Sequence, residues 1–221
     1  FEYDIRGLLM AFYPHEEIEK TDWSAQEEPA EGTAPASCWR RRLRVAYGSK
    51  EATLTLELPA ADAEKGLEPF AIETGRDGTP FFWLVETAAV VPGDRGATKN
   101  ALKHALYRLL QRDTRKSLPW GTLTGIRPTK IAMNLLEEGE REEDIVSYMQ
   151  KQYLTSEEKA RLSVEIACRE RRILKDIDYE NGYSLYIGIP FCPTTCLYCS
   201  FTSYPFSRFA PQADAYIAAV E

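Results

Sequence analysis

The chain has 221 residues, of which 44% are hydrophobic and 28% are charged, a composition typical of soluble globular domains and not of disordered chains. The formal net charge of −7 argues against a protein that binds nucleic acid through bulk charge. No stretch approaches the roughly 18 apolar residues that a membrane span needs, and no basic leader with an apolar core marks the chain for secretion. The chain starts at Phe1 and stops at Glu221 inside a predicted helix, so we expect a fragment.

Residues 1–92 predict a small α+β domain. Apolar residues spaced i, i+3, i+4, i+7 indicate a helix over 4–13. Residues 24–37 have no periodicity and read as a loop. Alternating or continuous apolar residues predict three strands, the first two of which form a β-hairpin; they cover residues 39–47, 53–58 and 81–85.

Residues 93–181 predict a helical domain. Helical spacing indicates a helix over 98–112, and Pro128 suits the first turn of another helix, which Gly139 would end. A third helix carries Ile145 and Met149. A fourth, long helix has a capping box and an apolar core stripe; the box is Thr155 with Glu158, and the stripe is Leu162, Ile166, Ile173 and Ile177.

Residues 182–221 predict the start of an α/β barrel. The nearly continuous apolar run over 183–191 suits a strand that is buried on both faces. A loop with three cysteines follows it, and a helix begins at Pro211. Strand, loop and helix form the first unit of such a barrel, in which the chemistry lies at the carboxyl ends of the strands.

The cysteines carry the strongest chemical signal. The chain has five, and the odd count without a leader disfavours a disulfide framework and predicts a cytoplasmic location. Three lie within the loop as Cys192-x-x-x-Cys196-x-x-Cys199, where three thiolates can converge on one metal centre. A structural zinc site takes four ligands, and so does the usual four-iron cluster. The spacing favours a centre with an open position; three unrelated buried cysteines are the alternative.

This cysteine spacing, with Tyr186-Ile187-Gly188-Ile189-Pro190-Phe191 before it, resembles the radical S-adenosylmethionine (SAM) enzymes. More narrowly, it is similar to the oxygen-independent coproporphyrinogen III oxidase group. The segment 118–128, Leu-Pro-Trp-Gly-Thr-Leu-Thr-Gly-Ile-Arg-Pro, looks most like the HemZ-type coproporphyrinogen dehydrogenases. The resemblance implies that the cysteine loop opens an α/β barrel, of which this chain holds only the first unit.

The resemblance also implies cofactors and a reaction. Cys192, Cys196 and Cys199 would hold three irons of a [4Fe–4S] cluster, and SAM would chelate the fourth. Reductive cleavage of SAM would give a radical that abstracts hydrogen from a propionate of coproporphyrinogen III, and loss of carbon dioxide would leave a vinyl group. Two such steps would give protoporphyrinogen IX. The implied partners are the porphyrinogen and a flavodoxin- or ferredoxin-like electron donor, with no nucleic acid and no membrane span.

Two tyrosines carry over by position. Tyr198 would lie against the adenine of SAM, and Tyr186 would contact SAM near the cluster; packing is the alternative role of each. Two positions depart from the family pattern, because several relatives have His where Gly188 stands and a basic residue where Thr195 stands. These departures leave the substrate contacts open.

Other polar residues have structural explanations that we favour over binding. They are the basic cluster Arg40, Arg41, Arg42 and Arg44, the residues Trp120, Arg127 and Lys130 of the breaker-rich segment, the separate Cys38 and Cys168, and His104, which we expect at the surface. An arginine cluster could also bind the carboxylates of a porphyrinogen. Competing functions are a radical-SAM-like haem chaperone, another radical SAM enzyme and a structural zinc module.

Overall fold

The structure is a computed structural model, and contacts divide the chain into two compact units. Unit 1 is Phe1–Ile173 and unit 2 is Leu174–Glu221. Within the described residues, no helix combines the length and the apolar character needed to cross a membrane. The described residues are 1–20, 41–59, 72–74, 80–178, 181–194 and 196–220. The predicted loop over 24–37 lies outside them.

The strands of unit 1 are β1 Arg42–Tyr47, β2 Glu51–Pro59, β3 Ile72–Thr74 and β4 Pro80–Ala89. They form an antiparallel sheet in the order β1-β2-β4-β3. The predicted hairpin is confirmed, with Leu43 opposite Leu56 and the turn at Gly48 closed by its N–H, which donates to the Glu51 carbonyl at 2.8 Å. The sequence did not indicate β3, which has only three residues.

Two helices and one face of this sheet form the first core. Helix α1, Glu2–Phe12, and helix α2, Arg95–Thr114, confirm the predicted helices. Asp94 caps α2, because its carboxylate accepts the Ala97 N–H at 2.8 Å. The alternating apolar residues of β2 and β4 point into this core, as their period of two predicts; they include Leu54, Leu56, Leu58, Phe82 and Leu84.

Three further helices form a second core in unit 1: α3 Pro128–Glu137, α4 Glu142–Tyr153 and α5 Glu157–Leu174. The predicted capping box of α5 is wrong, because the hydroxyl that accepts the Lys159 N–H belongs to Ser156, at 3.3 Å, and not to Thr155. The predicted core stripe of α5 is also wrong, since Ile173 is 70% exposed. Small side chains face the core instead and allow close helix packing; they are Ala160, Ser163, Val164 and Ala167.

Unit 2 contains two short parallel strands, β5 Phe191–Cys192 and β6 Tyr204–Pro205, and helix α6, Phe206–Val220. The helix begins five residues before the predicted start, so Pro211 lies inside it. The strand predicted over 183–191 is formed only at its end, and its apolar side chains are largely exposed. A strand buried on both faces needs neighbouring strands and covering helices, and the described part of unit 2 supplies one two-residue partner.

Candidate metal centre

The three cysteines of the loop are held by two local features of unit 2. Cys192 is the last residue of β5, where it pairs with Pro205 of β6. Cys196 and Cys199 share one turn, which is closed by the Cys199 N–H donating to the Cys196 carbonyl at 2.9 Å. Strand pairing therefore fixes the first cysteine, and the turn brings the other two together.

The three thiols are free, with Cys192 and Cys199 half-buried and Cys196 exposed. Within the described ranges, no three His, Cys, Asp or Glu side chains form a group arranged to hold a metal ion. The structure therefore brings Cys196 and Cys199 together, but it does not gather the three thiols into such a group.

The chemistry of the donor set fits an iron–sulfur cluster. Cysteine thiolates are the standard ligands of such clusters, and this loop offers three of them within eight residues. A closed zinc site needs a fourth ligand, and the loop over residues 192–199 offers no histidine and no further cysteine. The donor set thus suits a cluster with three protein ligands better than a structural zinc ion.

The two predicted SAM-binding tyrosines are exposed. Tyr186 is 85% exposed and Tyr198 is 90% exposed, so neither ring is buried within the described part of unit 2. Gly188 lies beside the Tyr186 ring, where an added Cβ would stand 3.1 Å from Cε1. A residue with a side chain at position 188 would press on this ring. The SAM-binding role of both tyrosines stays a prediction.

Three arginines of the basic cluster, Arg41, Arg42 and Arg44, are balanced by buried acids. Arg42 and Arg44 pair with Glu57, at 3.4 and 2.8 Å. Arg41 pairs with Asp113, whose carboxylate accepts Nε at 2.5 Å and Nη2 at 3.2 Å. The favoured structural interpretation is confirmed for these three arginines, while Arg40 lies outside the described residues. The burial of Glu57 and Asp113 could not be predicted from the alternation of apolar and polar residues in the sequence.

The breaker-rich segment joins α2 to the second core. Thr122 donates both its N–H, at 2.7 Å, and its hydroxyl, at 3.1 Å, to the Tyr153 carbonyl at the end of α4. The Lys159 ammonium stands 5.9 Å from the Trp120 ring centroid. Arg127 hydrogen-bonds to Glu170. These contacts support a structural role for the segment, and Lys130 is exposed.

The separate cysteine and histidine have local partners. The Cys168 thiol donates to Glu142 at 3.5 Å; burial, together with this carboxylate, raises the pKa of the thiol and makes it a poor nucleophile. The surface position expected for His104 is wrong, because the half-buried ring donates Nε2–H to the Gln152 carbonyl at 2.8 Å. Cys38 lies outside the described residues.

Sequence reasoning missed the aromatic side chains that support the cysteine loop. Phe209 and Tyr216 of α6 both contact Phe191, with ring centroids at 6.1 and 5.4 Å. Their spacing of seven residues is the signal that could have identified them, because it places two side chains on one helix face.

Comparison with known proteins gives one match among curated proteins. The chain is 38% identical over 120 residues to the "Oxygen-independent coproporphyrinogen-III oxidase-like protein HemZ" of Bacillus subtilis (strain 168). The matched stretch is 54% of this chain and 24% of that relative, so the match spans about a quarter of the relative's length. No protein-family model and no solved structure matches the chain. The resemblance to HemZ-type proteins predicted from the sequence is confirmed.

Proposed function

Starting from this likeness to HemZ, we propose that the chain is part of an oxygen-independent coproporphyrinogen III dehydrogenase. The enzyme would convert two propionates of coproporphyrinogen III to vinyl groups by oxidative decarboxylation, a step of haem biosynthesis. The observation that carries the proposal is the 38% identity to a coproporphyrinogen-III oxidase-like protein. The three free thiols of one short loop support it independently.

The cysteine loop would hold the cofactor. The thiolates of Cys192, Cys196 and Cys199 would bind three irons of a [4Fe–4S] cluster. Such a cluster, when bound, would supply the electron for the reductive cleavage of SAM that starts radical chemistry. The exposed rings of Tyr186 and Tyr198 are free to pack against SAM, and their hydroxyls could fix its orientation.

We also propose that unit 2 contains the first β/α unit of a radical SAM barrel. Residues 183–190 present apolar side chains that are largely exposed in the described unit. Helix α6 has no buried residue. Both features suit an element that packs against further strands and helices, since a barrel strand is covered on both faces.

The enzyme would work in the cytoplasm with an electron donor of the flavodoxin or ferredoxin type. Cluster ligands must remain thiolates, which a reducing compartment favours. The same requirement makes the enzyme sensitive to oxygen, because exposed thiolates and clusters are readily oxidised.

The proposal is tested with the longer protein that contains this chain, purified without oxygen. It is incubated with SAM, a chemical reductant and coproporphyrinogen III, and the porphyrin products and 5′-deoxyadenosine are measured by mass spectrometry. Loss of two carbon dioxide molecules per porphyrinogen, with 5′-deoxyadenosine formed, supports the proposal. Tight haem binding without any turnover would favour the haem chaperone and contradict it.

A further inference from the structure

We infer that Tyr216 of α6 is a positioning residue for the cysteine loop, an inference that rests on the proposed function. Its hydroxyl donates to the Gly188 carbonyl at 2.5 Å. Its ring meets Phe191 edge-on, with centroids 5.4 Å apart and an interplanar angle of 87°. Since Phe191 directly precedes Cys192, the Tyr216 side chain contacts the segment before the first predicted iron ligand at two points, one backbone carbonyl and one aromatic ring.

Phe209 completes this arrangement from the same face of α6. Its ring lies 6.1 Å from Phe191 and 5.2 Å from Tyr204, between centroids. Tyr204 in turn donates its N–H to the Pro190 carbonyl at 2.8 Å and pairs with Phe191 across the two strands. We call Phe209 and Tyr216 the aromatic clamp, because they hold β5 and β6 against α6.

The segment of unit 2 before Cys192 is half-buried where the aromatic clamp contacts it. The half-buried positions include Gly188, Pro190, Phe191 and Cys192, while the residues before Gly188 are exposed. A hydrogen bond to a half-buried carbonyl is harder for water to replace than one at the surface. The clamp therefore sets the position of Cys192 before any cluster binds.

Tyr216 also acts on the predicted SAM-binding side. The carbonyl that it holds belongs to Gly188, where an added Cβ would stand 3.1 Å from Cε1 of the Tyr186 ring. The same hydroxyl thus holds the backbone two residues after a predicted SAM contact, Tyr186, and four residues before a predicted iron ligand, Cys192.

The first test uses the reduced, metal-free chain, so it does not depend on cofactor loading. The alkylation rate of each cysteine is followed by peptide mass spectrometry in the wild type and in Tyr216→Phe, which keeps the ring and removes only the hydroxyl. Loss of one hydrogen bond makes local opening about two- to tenfold more frequent. We expect Cys192 to react faster by that factor, while the exposed Cys196 and Cys168, which belongs to unit 1, keep their rates.

Two further variants make the result specific. Tyr183→Phe removes a hydroxyl from a tyrosine that is 93% exposed and should change no rate. Tyr216→Ala removes the ring as well and should accelerate Cys192 further. An unchanged Cys192 rate in both Tyr216 variants overturns the inference, and so does an equal acceleration of all cysteines in Tyr216→Phe, which would indicate general unfolding.

The second test measures how long iron stays bound after reconstitution with iron and sulfide. In Tyr216→Phe, iron should pass to a chelator about two- to tenfold faster than in the wild type, and equal release rates contradict the inference. A wild-type chain that takes up no cluster contradicts the proposed function, while the alkylation rates still decide the role of Tyr216.

Discussion

Asp113 provides the sharpest test of how the first core is held. Its side chain is 1% exposed and accepts three hydrogen bonds, from Arg41 Nε at 2.5 Å, Arg41 Nη2 at 3.2 Å and the Tyr13 hydroxyl at 2.5 Å. Asp113→Ala removes the carboxylate that these donors share. Breaking a buried ion pair by removing one partner costs about 3–5 kcal/mol. Because Arg41 remains 25% exposed, we expect a loss of about 3 kcal/mol, at the lower end of that range.

The chain contains a matched control for this experiment. Asp144 forms the same two-pronged pair with Arg141, at 2.6 and 3.1 Å, but its side chain is 48% exposed. Water screens exposed pairs, so Asp144→Ala should change the stability far less. The assay is the free energy of unfolding from urea titration of the wild type and both variants. Equal losses in the two variants would refute the reasoning that burial, and not pair geometry, sets the cost.

Three further predictions concern a close backbone approach, a half-buried phenol and a predicted SAM contact. In Gly121→Ala the new Cβ would stand 2.0 Å from the last carbonyl oxygen of α4, so we expect the free energy of unfolding to fall by at least about 2 kcal/mol. The control is Gly139→Ala, where the new Cβ meets nothing within 4 Å and the loss should be only about 1 kcal/mol. Equal losses in the two variants would contradict the role of the close approach. Burial and the Asp113 hydrogen bond raise the pKa of Tyr13 far above its usual value. Above a pH of about 10 the unfolded chain therefore releases a proton that the folded chain keeps, so the free energy of unfolding should fall as the pH rises. The fall should be less steep in Tyr13→Phe. The same slope in the wild type and in Tyr13→Phe would contradict this reasoning. Tyr186→Phe should lower the rate of 5′-deoxyadenosine formation at least about tenfold at equal iron content, and equal rates would reduce Tyr186 to a packing residue.

The sequence predicts those parts of the fold in which local pattern and tertiary packing agree. The hairpin β1–β2 and helix α2 follow from clear periods of two and of about 3.6, and Pro128 correctly indicates the start of α3. Helix α5 shows the limit, because its large apolar residues lie on the exposed side and its core face is built from Ala160, Ala167 and similar small residues. A hydropathy pattern gives most weight to large apolar side chains, whereas helices that pack closely need small side chains at their contact.

The candidate site is predictable in its chemistry and less so in its geometry. The spacing of the three cysteines is visible in the sequence, but within the described residues the structure does not gather the three thiols into a group that could hold a metal ion. The strand over 183–191 could not be judged in the same way, because its formation depends on neighbouring strands and not on its own residues. The hydrogen bond from Tyr216 to Gly188 joins residues 28 positions apart and leaves no local signal.

The central claim is that the cysteine loop holds a four-iron cluster. The direct measurement is iron, sulfide and zinc content, with the visible absorption spectrum, of protein purified without oxygen as the wild type, Cys196→Ala and the control Cys168→Ala. We expect about four irons and four sulfides per chain in the wild type and in Cys168→Ala, and loss of both with the absorption in Cys196→Ala. Zinc in place of iron in the wild type, or unchanged iron and sulfide in Cys196→Ala, would contradict the claim.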